Sequence, residues 1–146
     1  MQLRILKSHD YSQWLNLWNN YQVFYQVKLD DAVTEITFSR LLNEEEDMYC
    51  LVIEDQEKLI GLVHFIFHRS TWTGGNYCYL QDLFVEQHAR NQGIWRQLIE
   101  GVYEKAAKYN CSRVYWLTHA SNVEARWLYD NIAINTGFIQ YRQNLG

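Results

Sequence analysis

Between Val85 and Leu98 the chain reads Val-Glu-Gln-His-Ala-Arg-Asn-Gln-Gly-Ile-Trp-Arg-Gln-Leu. An apolar, strand-like run ends at Val85, a short polar stretch follows, and helical periodicity starts near Gly93. The first-turn N–H groups of such a helix have no intrahelical partner, and with the positive end of the helix dipole they attract an anion. Gly93 lets a ligand approach the backbone, and Arg90 and Arg96 supply charge for phosphate oxygens. A single glycine between strand and helix equally suits an ordinary turn. The loop has no lysine directly after the glycine and no Gly-x-Gly-x-x-Gly, which argues against nucleotide-binding loops of those types. Other residues could move protons. Asp82 lies on the strand leading into the loop, on the face opposite Leu83 by strand alternation. It suits a general base or an unremarked aspartate at a sheet edge. His119 follows a later strand and reads as a second base or a solvated loop residue. Tyr129 falls on the apolar face of a helix, where a core tyrosine keeps its hydroxyl at the rim. Asn122 suits an N-cap.

These residues need elements to hold them. Leu3–Leu6 reads as a short strand. Trp14, Leu15, Leu17, Trp18, Tyr21, Phe24 and Tyr25 recur at helical spacing over Tyr11–Tyr25, and a second helix is expected over Thr34–Leu42. Glu44–Asp47 is an acidic, solvated loop. Tyr49–Glu54 and Lys58–Arg69 form a hairpin across Asp55-Gln56-Glu57. A loop with Gly74-Gly75 and Trp72 leads to a strand over Tyr77–Val85. Gln92–Tyr109 is a long amphipathic helix stopped near Asn110. Then come a strand at Arg113–Thr118, a helix at Asn122–Ala133 and a closing strand at Thr136–Arg142. The expected class is α/β of the α+β kind, a single domain over residues 1–146. The strands flanking the long helix should be parallel.

Composition narrows the function classes. The chain has 146 residues, 48% of them hydrophobic and 16% aromatic, enough for a sizeable core. A net charge of -4 without a basic run disfavours a dedicated nucleic-acid binder. No apolar run is long enough for a membrane span. Cys50, Cys78 and Cys111 are odd in number, widely spaced and without a Cys-x-x-Cys pair, so neither a metal site nor a disulfide framework is expected. With no signal-peptide pattern at the N-terminus, this fits the cytoplasm.

Together these motifs resemble the GNAT superfamily of acetyltransferases across nearly the whole chain, most strongly from Tyr79 to Tyr141. The family signature Arg/Gln-x-x-Gly-x-Gly/Ala appears as Arg90-x-x-Gly93-x-Trp95, led in by Tyr79-Leu80-Gln81-Asp82-Leu83-Phe84-Val85. Asn122, Ala125, Leu128 and Tyr129 match the second cofactor-contacting helix, and Gly137-Phe138 the terminal Gly-Phe. Val114–Thr118 and the Tyr129-to-Gly137 spacing look like the branch of small bacterial and fungal histone, polyamine and D-amino-acid acetyltransferases. The resemblance implies a mixed central sheet with a splayed parallel strand pair, flanked by helices, and acetyl-CoA as co-substrate with no metal. Backbone groups of Leu83, Phe84 and Val85 would pair with the pantetheine arm. The Asn91, Gln92, Gly93, Ile94, Trp95 and Arg96 backbone, with Arg90, would hold the pyrophosphate. Asn122 would bind pantetheine beside Ala125, and Tyr129 would protonate the leaving thiolate. Tyr21, Phe24 and Tyr25, with Asp82 and His119, would line the acceptor pocket for a small-molecule or peptide amine, attacked directly in a ternary complex. A homodimer is compatible with the exposed-looking aromatics. The departure is Trp95, which stands at a Gly/Ala position and opens a second reading, a degenerate domain that binds acyl-CoA or a partner without catalysis.

Overall fold

A computed structural model describes residues 1–146, apart from the side chains of Asn91 and Gln92. The expectation that the Asn91 and Gln92 backbone joins the pyrophosphate site falls on these residues, whose side chains lie outside the described ones. The elements run β1 (Gln2–Ile5), α1 (Tyr11–Phe24), α2 (Asp31–Leu42), β2 (Met48–Asp55), β3 (Lys58–Arg69), β4 (Asn76–Val85), α3 (Ile94–Lys108), β5 (Cys111–Tyr115) and α4 (Val123–Asp130). The chain divides into two compact units, Met1–Trp116 and Leu117–Gly146.

In the first unit the five strands form one mixed sheet in the order β1-β2-β3-β4-β5. Every neighbouring pair is antiparallel except β4–β5, which is parallel as expected. The β2–β3 connection is a two-residue turn with Gln56 and Glu57 both at positive φ, 50° and 65°. On one face, Trp14, Leu17 and Trp18 of α1 and Phe38 and Leu41 of α2 close over Cys50, Val52, Leu62 and Phe84. The helical spacing of these aromatics turns one side of α1 onto the sheet. Trp14 is fully buried, and replacing such a residue with alanine costs about 3–5 kcal/mol. On the other face α3 buries Ile94, Leu98, Ile99 and Val102. It sits close because Gly101 lacks a Cβ; an added one would lie 2.7 Å from Leu3 Cδ2.

Two features of the sheet govern the site. First, β3 and β4 pair His64 with Asp82 and then Phe65 with Leu80, leaving Gln81 as one extra residue on β4. Side chains alternate along a strand, so this bulge flips the parity. Asp82 and Phe84 therefore share the α1 face with Tyr79, opposite Leu83, as alternation predicts locally. Second, the β4–β5 ladder ends at Tyr79 opposite Tyr115, where β5 itself stops. β4 runs on to Val85, so the parallel pair is open beyond Tyr79.

Several expected boundaries move. The long helix starts at Ile94, because Gly93 has φ +71° and a helix cannot run through a left-handed residue. The preceding residues form a 3-10 helix, Gln87–Gln92. The helix ends before Asn110, whose φ of 61° makes it the stop that its residue type suggests. β5 lies at Cys111–Tyr115 instead of Arg113–Thr118. In the second unit α4 ends at Asp130, and its N-cap is Asn122, whose Oδ1 accepts the Ala125 N–H at 3.3 Å. The closing strand expected at Thr136–Arg142 is absent: these residues have no regular element. Alternating side chains make a strand only where a ladder partner exists. Here Phe138 and Tyr141 are 90% and 89% exposed.

Candidate active site

A cavity of about 320 Å³ opens on the α1 face of the sheet, lined by Trp18, Tyr21, His64, Phe65, Gln81 and Asp82 among others. Its aromatic wall follows from helical spacing: Trp18 and Tyr21 stack at 4.9 Å, and Tyr25 comes within 4.7 Å of Tyr21. Asp82 is the carboxylate in this lining, and its side chain is 13% exposed. Tyr21 Oη donates to Asp82 Oδ1 at 2.7 Å. His64 Nδ1 lies 3.0 Å from Asp82 Oδ2. Behind it, Trp14 Nε1 donates to His64 Nε2 at 3.1 Å. Burial and the neighbouring Asp82 charge push the Tyr21 hydroxyl far above its ordinary value. Tyr25 is shifted upward for the same two reasons. Both tyrosines are therefore neutral hydrogen-bond donors at physiological pH.

Of the expected acceptor residues, the fold brings Tyr21, Tyr25 and Asp82 together. Phe24 is exposed; its ring lies 5.1 Å from Tyr25 and 5.4 Å from the Arg90 guanidinium. His119 belongs to the second unit, where it is exposed and its carbonyl accepts the Asn122 N–H at 3.0 Å. Sequence reasoning missed His64 and Trp14. His64 is the polar interruption in an otherwise apolar run from Leu59 to Phe67, a signal that local patterning leaves unassigned.

At the loop, the first intrahelical bond of α3 runs from Gln97 N–H to the Gly93 carbonyl. The N–H groups of Ile94, Trp95 and Arg96 thus precede the helix's own ladder. Gly93 is exposed, and a Cβ there would meet nothing within 4 Å. This is an open donor-rich helix start, which fits a pyrophosphate. Arg90 folds back, donating Nε to the Val85 carbonyl at 3.0 Å, with its guanidinium 5.8 Å from the Phe84 ring. Arg96 pairs with Glu100 at 2.9 Å on the exposed side of α3. Ile94 is fully buried. Trp95 is half-buried, and its indole nitrogen is buried without a hydrogen-bond partner among the described residues. Leu83, Phe84 and Val85 lie on the stretch of β4 that outruns β5. In the second unit Ala125 is buried and Tyr129 half-buried on α4. Among the described residues no group of His, Cys, Asp and Glu could hold a metal ion. Among the described residues no helix is long and apolar enough to cross a membrane.

The comparisons with known proteins agree with this arrangement. Residues 11–132 match the Acetyltransferase (GNAT) family. The chain is 31% identical over 144 residues to the D-amino-acid N-acetyltransferase HPA3 of Saccharomyces cerevisiae, covering 97% of this chain and 89% of that one. It is 35% identical over 99 residues to the thialysine N-epsilon-acetyltransferase of Mus musculus, covering 61% of this chain and 55% of the relative. Its fold matches the crystal structure of a ribosomal-protein-alanine N-acetyltransferase from Brucella melitensis biovar Abortus 2308, with a TM-score of 0.78 at 20% identity over 99% of this chain and 100% of that one. With an open parallel strand pair, a donor-rich helix start behind Gly93 and a family match across most of its length, the chain belongs to the GNAT acetyltransferase family and is an N-acetyltransferase.

Proposed function

We propose that the chain transfers an acetyl group from acetyl-CoA to the primary amine of a small, amino-acid-like acceptor bound in the α1-face cavity. The observation that carries this reading is Asp82, a carboxylate held at an aromatic-walled cavity by Tyr21 and His64. A carboxylate framed by rings suits an ammonium group, through ion pairing and cation–π attraction. The amino-acid class is supported by the likeness to HPA3, which extends over nearly the whole chain.

Acetyl-CoA supplies an acyl thioester as co-substrate. The N–H groups of Ile94, Trp95 and Arg96, with the Gly93 opening, would hold its pyrophosphate. The buried indole nitrogen of Trp95 supports a side chain turned into the protein rather than one standing before the helix start. The stretch of β4 beyond the end of β5, at Leu83, Phe84 and Val85, would take the pantetheine arm; the family resemblance adds Asn122 and Ala125 to its contacts. Asp82 accepts the proton that the amine must lose before it attacks, while Tyr129 returns a proton to the departing sulfur. Over the reaction an N–C bond replaces the S–C bond; of the two protons the ammonium gives up, the one taken by Asp82 passes on to solvent and the other is balanced by the proton that ends on sulfur. We read residues 1–146 as one catalytic domain, cytoplasmic by its three free thiols, and active as a homodimer or a monomer.

The test is thiol release from acetyl-CoA with a panel of D- and L-amino acids, thialysine, diamines and peptides. Release with small amino acids above the other classes is the expected result. Tight acetyl-CoA binding with no release on any amine would overturn the reading.

A further inference from the structure

His64 is buried, 5% exposed, in a strand where a leucine would fill the same space without a polar group to satisfy. Both of its ring nitrogens are engaged, and the two contacts have a direction. An indole N–H only donates. With Trp14 Nε1 donating at 3.1 Å, His64 Nε2 must be the accepting nitrogen, and the ring's proton sits on Nδ1. That N–H points at Asp82 Oδ2, 3.0 Å away. Tyr21 fixes the other carboxylate oxygen from α1. The two donors come from different elements, so together they stop rotation of the carboxylate about its last torsion. The cross-strand register that sets His64 opposite Asp82 exists because of the bulge at Gln81.

We propose that His64 is a positioning residue for acetyl transfer. Locked in one tautomer between the Trp14 donor and the Asp82 acceptor, it holds the Asp82 carboxylate in the orientation that receives the acceptor amine. This rests on the reading of Asp82 given above. His64 is not a proton relay, because its only other nitrogen is occupied by the Trp14 N–H. Its effect reaches the amine only through Asp82.

The experiment combines imidazole nitrogen NMR with kinetics of His64→Leu, His64→Asn, His64→Gln, Trp14→Phe and Asp82→Asn at saturating acetyl-CoA. The wild type and Trp14→Phe should both show the Nδ1–H tautomer, because the Asp82 carboxylate only accepts. His64→Leu should lower kcat/KM for the amine roughly tenfold or more, since misplacing a reacting group carries penalties of that order. Its acetyl-CoA affinity should stay within about twofold. His64→Asn, whose amide N–H falls near the position of Nδ1–H, should recover much of the loss. An Nε2–H tautomer in the wild type overturns the proposal, as does full kcat/KM in His64→Leu or equal damage in His64→Leu and His64→Asn. Should His64→Leu fail to fold, His64→Gln decides: its amide falls near Nε2 rather than Nδ1, and full kcat/KM in that variant overturns the proposal. Asp82→Asn separates the two claims. Full turnover in that variant defeats the reading of Asp82 itself, whereas an inactive Asp82→Asn beside a fully active His64→Leu defeats only the positioning role.

Discussion

Asp82 and Asp10 show how differently two partly or wholly buried carboxylates are used. Asp82 faces a cavity and accepts hydrogen bonds from neutral donors, Tyr21 and His64. Asn in its place keeps the shape and loses the charge, so Asp82→Asn should lower amine turnover roughly 10²-fold or more while acetyl-CoA affinity holds; steady-state kinetics beside calorimetry reads both. Tyr129→Phe should lower kcat by a comparable factor, and kinetics at saturating substrates measure it. Asp10 has a structural job. It takes two hydrogen bonds from the Arg4 guanidinium, at 2.8 and 2.9 Å, and one from the Lys7 N–H. The Arg4 bonds hold its carboxyl below the ordinary carboxylate range. The unfolded chain therefore binds a proton at this site before the native protein does. The stabilisation is complete above about pH 4, the unfolded value, and is lost as pH falls towards the native one. Urea unfolding between pH 7 and pH 3 should show this fall in the wild type and a shallower one in Asp10→Asn. Arg4 also bonds Glu54 at 2.6 Å and so stays paired in Asp10→Asn, which should cost less than the about 3–5 kcal/mol of a buried charge left without a partner. At this scale the sequence was half legible. Asp82 and Tyr21 stood in readable motifs, whereas His64 and Trp14 acquire meaning only from a register that no local pattern displays.

Among the elements, the hairpin of β2 and β3 invites a direct change. Its turn places Gln56 and Glu57 at positive φ, where a residue with a Cβ is strained. Glu57→Gly removes that strain without deleting the Glu57 carbonyl that accepts from Gln13 Nε2 at 3.1 Å. It should stabilise the fold by about 0.5–1 kcal/mol, a gain in Tm of about 1–4 °C by calorimetry. Hydrophobic period identified α1 to α3 and the strands β1 to β5, which bury apolar faces within the first unit, and α4 within the second. Ends were legible to within two residues where a residue type enforces them, as at Gly93 and Asn110, and less so at β5, which lies at Cys111–Tyr115 instead of Arg113–Thr118. The strand expected at Thr136–Arg142 failed for a different reason. Its alternation is a local property, while pairing is not, and the apolar side chains Phe138 and Ile139 are exposed.

For the whole molecule, the order of elements was enough to foresee a mixed sheet with a parallel pair at one side. The opening of that pair beyond Tyr79 came from the family resemblance. The helix start behind Gly93 and the open length of β4 should together make acetyl-CoA a strong stabiliser. At a hundredfold excess over its Kd, a ligand specific for the native state adds about 2.7 kcal/mol, which should raise Tm by about 5–10 °C. A thermal scan with and without acetyl-CoA measures it, and an unchanged Tm at saturation would remove the proposed donor site. The same opening has a cost in colloidal behaviour. From Leu80 to Val85, β4 is a largely apolar strand that has outrun its parallel neighbour, with Asp82 as its one charge. Unmatched strand edges of this kind are templates for sheet growth between molecules. If a pantetheine arm pairs with this strand as proposed, it takes the place that a second chain would otherwise take, so light scattering should show less self-association at saturating acetyl-CoA than without it.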